Sequence, residues 1–301
     1  MTKRIDVLGV AGDVVGHVLA QVPVPASAPL VTRAASLHDD RYVAWWRDGS
    51  SDRSELADAP LISALLARVA DGHLLQTLLA AFEEPGRLAG ALRDEASFLA
   101  TSPVGFDPHA QMTRDAVRRL SADARELLEI VWASIGLTWS FYAELWARTL
   151  RGPMADSCAD VGGEIHELSA ALPVVARETV RLSHPLGPHG RCFPEMIVVG
   201  APARWNGLGP TDVAVRVAHE SAVRCAGALL ERTEWTEDGS TRRAASHWAV
   251  VEDLALRSVA VRLRGHRLHD AHARFVAGLD VAELRRADDA LLAELLVRLD
   301  G

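Results

Sequence analysis

Two kinds of hydrophobic spacing divide this chain. Up to residue 58 the apolar residues fall in short β-prone runs, Ile5 to Val10, Leu30 to Arg33 and Arg41 to Trp46, separated by Gly, Pro and Asp-Asp punctuation. Pro23, Pro25 and Pro29 stop any helix there, so two or three short strands in a small sheet are expected. From Pro60 the apolar residues recur at i, i+3 and i+4, which predicts helices over 60–70, 72–82, 87–100 and 121–150. Ser121 or Thr113 can cap the last of these, and Gly152-Pro153 is the expected stop. Further helices are predicted over 162–170, 174–182, 212–231, 243–264, 268–279 and 281–299. Glu195 to Val199 is the one late run with strand character, entered through the Pro/Gly loop His184 to Gly190. The expected class is mainly α: a small β-containing N-terminal region (1–58), then a helical domain (59–301) with one short strand near 195–199. No repeat of twenty to fifty residues is evident.

Composition narrows the class of protein. Of 301 residues, 49% are hydrophobic and 24% charged, which excludes a disordered or fibrous chain. The formal net charge of −8 argues against a surface that tracks nucleic-acid phosphates. No apolar stretch is long enough to span a bilayer, and Gly9, Gly12, Asp13 and Gly16 interrupt any signal-peptide core, so no membrane association is expected. Cys158, Cys192 and Cys225 are odd in number, widely separated and form no CxxC motif, as expected in a reducing cytoplasm. Gly9, Gly12 and Gly16 follow a predicted strand, but their spacing is GxxGxxxG, so they are expected to serve turn geometry and no nucleotide cofactor.

Eight tryptophans and twelve histidines stand out against two tyrosines. Trp132, Trp139 and Trp146 are spaced by seven within one predicted helix, a drift of only about 20° per step, so they form one line. That line is either an inter-helix seam or the wall of a binding groove.

The chemistry-bearing stretch runs from 184 to 264. A strand precedes a helix carrying Val217-Ala218-His219-Glu220-Ser221-Ala222-Val223, and the next helix carries Glu252. This succession resembles the core of the gluzincin zinc metallopeptidases. In that family an HExxH helix gives two imidazole ligands and a general base, and a Glu on the next helix gives the third ligand. The resemblance covers about seventy residues. It implies His219 and Glu252 as metal ligands for zinc or iron and Glu220 as candidate catalytic base. The second histidine is missing: its position is Val223.

Residue spacing qualifies those roles. Val215, Ala218, Ala222, Val223 and Ala226 share the face of His219, which places the imidazole inside. Glu220 is rotated about 100° away, with Arg216 and Arg224 at i−4 and i+4, the pattern of a solvated salt-bridge face. Glu252 lies on an apolar stripe with Trp248, Ala255, Val259 and Leu263, so its carboxylate needs a partner, and His219 is the natural one. Two arrangements satisfy both groups: a His–Glu bridge pinning two helices, or a metal site completed by His247, His184 or His189. His266, His269 and His272 are expected in a solvated cluster, and His166-Glu167 is a second pair without a histidine four residues on. Two functions are therefore expected. The first is a non-catalytic accessory protein for a protein or peptide partner on a metallopeptidase-like scaffold. The alternative is a metal-dependent hydrolase or oxygenase with a non-standard His/Glu ligand set.

Overall fold

The computed structural model describes residues 5–7, 151–187, 189–192, 196–203, 206–232, 241–279, 284 and 286–300, with six isolated positions between Pro60 and Ile130. The expected strands at 30–33 and 41–46, the helices over 72–82 and 87–100, the tryptophan line and the 58/59 boundary lie outside these residues. The six isolated positions fall within the expected helices 60–70 and 121–150 and are helical. The chain divides into two compact units, Met1–Asp6 with Ala155–Leu182 and Gly190–Gly301, and Val7–Met154 with Ser183–His189.

The described fold is mainly helical. Its elements are β1 (Ile5–Val7), α1 (Arg151–Ala171), a 3-10 turn (Pro173–Arg177), β2 (Val180–Ser183), β3 (Gly190–Cys192), β4 (Ile197–Gly200), α2 (Pro210–Arg232), α3 (Thr241–Arg262), α4 (His269–Ala277) and α5 (Asp289–Leu299). The strands form one sheet in the order β1-β2-β4-β3. β3 and β4 run antiparallel with Gly190 opposite Val199 and Cys192 opposite Ile197, and the Ile197 N–H donates to the Thr179 carbonyl at 2.8 Å. No described helix is long and apolar enough to cross a membrane.

Several boundaries differ from the spacing argument, each for a local reason. Residues 174–182 are not one helix. Pro173 opens a single 3-10 turn, Glu178 is extended at φ −75°, ψ 140°, and the chain continues as β2 with Val180 and Leu182 buried. Five apolar residues at mixed spacing fit a turn plus a period-2 strand as well as a helix. The late strand begins at Ile197, two residues beyond its expected start, and is joined by two neighbours too short to carry a period of their own. Gly152 and Pro153 lie in the first turn of α1, where proline's missing N–H leaves no helical bond unmade. The last helix starts at Asp289 because the Asp288 side chain caps it, accepting from the Ala290 N–H at 2.9 Å.

α2 is the centre of this unit. It packs against β3 and β4 of the sheet and against α3, α4 and α5. Val213, Val217, Ala218, Ala222, Ala226 and Leu230 are buried, and so are residues between them, so this helix has almost no solvent face in its middle turns. Its start is fixed by Asn206 in the β4–α2 loop. The Asn206 Oδ1 accepts from the Ala203 and Leu208 N–H groups at 3.1 and 2.9 Å, while Nδ2 donates to the Ala201 carbonyl at 3.0 Å. The Asp212 carboxylate then accepts from the Gly209 N–H at 2.9 Å. On the far side Asp253 of α3 accepts from the Ala287 N–H at 2.8 Å, and Arg257 donates to the Ala287 carbonyl at 3.0 Å, which ties α3 to the entry of α5.

Because Asn206 is buried, its loss strands three backbone groups at once. Asn206→Ala is expected to lower unfolding stability by roughly 2–4 kcal/mol in a urea titration monitored by circular dichroism.

Candidate functional site

The site is built where α3 and α4 close over one face of α2. His219 sits mid-way along α2 and is 2% exposed; its Nε2 lies 3.0 Å from Oε1 of Glu252 on α3. For Nε2 to donate, it must carry the imidazole proton, which leaves Nδ1 as the lone-pair nitrogen. That Nδ1 is buried and has no hydrogen-bond partner among the described residues. The Phe275 ring of α4 covers the imidazole at a centroid distance of 5.1 Å, tilted by 59°. The Arg216 guanidinium lies over that same ring at 4.0 Å, a cation–π contact. Carboxylate, imidazole, phenyl and guanidinium therefore follow one another through the helical layer.

His219 and Glu252 lie on inward faces, as their spacing predicts, and are in direct contact. The expectation for Glu220 is overturned: it is 6% exposed instead of solvated. Because β3 packs against α2 at Glu220, a rotation of about 100° from the His219 face leads to that strand and not to water. A Cβ placed on Gly190 would stand 2.6 Å from both Glu220 Oε1 and Arg216 Cδ, so glycine is what lets this strand approach the pair. Arg216 lies 3.7 Å from the Glu220 carboxylate, but Arg224 does not join them. It bonds instead to Glu178, the buried residue that follows the 3-10 turn. Burial pushes the Glu178 carboxyl above the usual carboxylate range, and Arg224 offsets part of that rise.

His272 is a second correction. It belongs to no solvated cluster: it is 3% exposed, its Nε2 has no hydrogen-bond partner among the described residues, and its ring lies 6.2 Å from that of Phe275. Burial first, and then the charges of His219 and His269, hold its pKa down at about 4. The missed signal was the stripe Leu268, Ala271, His272, Phe275, whose spacing puts His272 on the apolar side of α4. His269 remains half exposed, and the His266 Nδ1 accepts from the Leu268 N–H at 3.2 Å.

His184 and His189 belong to the second unit, in the loop containing Gly187 at φ 58°; His184 is buried, and desolvation lowers its pKa to about 4. His247 is on α3, but its side chain lies outside the described ones. His166 is exposed on α1, and its neighbour Glu167 joins Glu164 in holding Arg267, the latter at 2.8 Å.

A zinc or iron centre of the kind the resemblance implies needs at least three protein ligands. Val223, at the second histidine's position, is buried in the core, and no group of three His, Cys, Asp or Glu among the described residues could hold a metal. His219 and Glu252 alone do not make up that set.

Two substitutions probe this arrangement. His219→Leu should cost roughly 3–5 kcal/mol, because it leaves the Glu252 carboxylate without its imidazole. Combined with Glu252→Leu it should cost less than the sum of the singles, with a coupling of about 1–3 kcal/mol in a double-mutant cycle. Gly190→Ala should destabilise by roughly 1–3 kcal/mol in chemical denaturation, as β3 and the Arg216–Glu220 pair are forced apart.

No protein-family model, no curated protein and no solved structure matches this chain.

Proposed function

We propose that this chain is a non-catalytic accessory protein, built on a metallopeptidase-like helical scaffold, that binds a protein or peptide partner. The observation that carries the reading is the 3.0 Å contact between His219 Nε2 and Glu252 Oε1. In a hydrolytic site of the gluzincin kind those atoms face a metal, and the glutamate after the histidine faces the water to be activated. Here the imidazole and the carboxylate engage each other. The residue in the base position, Glu220, is shut between Arg216 and the backbone of β3. A base must reach the proton it removes, and a carboxylate sealed under a strand has no access to substrate. Both acidic groups thereby serve to join elements: Glu252 joins α3 to α2, and Glu220 packs α2 against the sheet.

Two further features support the reading. Cys158, Cys192 and Cys225 form no disulfide, which suits a reducing cytoplasm. The net charge of −8 favours partners with compensating positive charge and disfavours nucleic acid.

Metal analysis of the full chain, purified without a histidine tag, separates this function from a metal-dependent enzyme. Zinc and iron should both stay below about 0.1 equivalent and be unaffected by His219→Ala. About one equivalent of either, lost in that variant, would establish the enzyme instead.

A further inference from the structure

We propose that α4 is an acid-released latch: protonation of His272 frees this short helix from α2 and α3 while the rest of the helical layer stays folded. The geometry singles out α4. It has nine residues, from His269 to Ala277, and follows a turn in which Gly265 takes φ 80°. A helix of that length is marginal on its own, so its order depends on docking. Docking rests on Leu268, Ala271 and His272, all buried, and on Phe275 between His219 and Arg216. His272 is the one titratable side chain buried on this helix, and its Nε2 has no hydrogen-bond partner among the described residues.

A proton added there has nowhere favourable to go. Of the charged and titratable groups on these elements, His219 of α2 and His269 of α4 act on His272; α2 also carries Arg216, Glu220 and Asp212, α3 carries Glu252, and α4 carries Asp270 and Arg274. The carboxylates of α2 and α3 are already engaged. Glu252 bonds to His219, Glu220 pairs with Arg216, and Asp212 accepts from the Gly209 N–H and lies 3.4 Å from Arg274. His219 and His269 act on His272 in the same direction, and both oppose its protonation. An imidazolium in this position is relieved by leaving it.

The sign follows from linkage. Docked, burial holds the His272 imidazole down at about 4; released, it returns to the ordinary imidazole value of about 6.5. Docking is therefore fully favoured above that higher value and weakens as the pH falls towards the lower one. Between pH 7.5 and pH 5 the opening equilibrium constant of α4 should rise about thirtyfold. Release uncovers the Arg216 guanidinium and the His219–Glu252 bridge together, so the same step changes which groups face solvent.

Hydrogen–deuterium exchange of the full chain at pH 7.5 and pH 5, corrected for intrinsic exchange rates, tests this. Amides 272–277 should lose protection by about thirtyfold while those of 217–226 in α2 keep theirs. In His272→Gln, and independently in His272→Leu, protection of α4 should change less than about threefold over the same range. The wild-type His272 imidazole, followed by NMR, should titrate well below 6. The proposal is overturned by α4 protection that is independent of pH, by loss of α2 and α4 protection in step, or by an unchanged pH response in both variants. A His272 midpoint near the free value would overturn it as well.

Discussion

Everything around α2 is arranged so that an imidazole and a carboxylate can be buried together. Placing either alone in this layer would cost several kcal/mol of lost solvation. Placed 3.0 Å apart, the His219 Nε2 and the Glu252 Oε1 engage one another and join α3 to α2. Sliding α3 by one residue would rotate Glu252 by about 100° and separate the two. The apolar residues that flank the bridge, Val215, Ala222, Leu254 and Ala255, are buried and their contacts are non-directional, so the polar pair is the contact most sensitive to register. α4 then lies where Phe275 can cover the imidazole.

A second polar contact does the same for the sheet. Arg224, one turn beyond Glu220, reaches Glu178 at the end of the 3-10 turn and holds the start of β2 against α2. Gly190 brings β3 close enough to cover Arg216 and Glu220. These constraints explain why α2 carries so many charged residues and yet so little solvent-facing surface. Its charges join it to neighbours on different sides: Glu220 lies under β3, Arg224 holds Glu178, and Asp212 at the first turn faces Arg274 of α4.

The sequence carried the helices of this unit well, because their apolar stripes are long and regular: α2 and α3 lie within a few residues of the expected bounds. It also carried the inward positions of His219 and Glu252. What it concealed were the effects of partners distant along the chain. Arg216 and Arg224 flank Glu220 at helical spacing, and local rules pair all three. Only the arrival of β3 and Glu178 from elsewhere shows that Glu220 is covered and Arg224 diverted. The strands were concealed because three or four residues carry too little period to be separated from a helical turn. His272 was legible in principle: it occupies an apolar-stripe position on α4, but its neighbours Arg267, His269 and Asp270 gave the segment a surface character.

The central claim is that His219 and Glu252 hold each other and not a metal. The nitrogen-15 NMR spectrum of the His219 side chain at neutral pH, with and without added zinc, tests it most directly. The account predicts a protonated Nε2 bonded to the carboxylate, a bare Nδ1, and no change on adding one equivalent of zinc. A zinc-dependent shift of the Nε2 resonance, with loss of its proton, would contradict it.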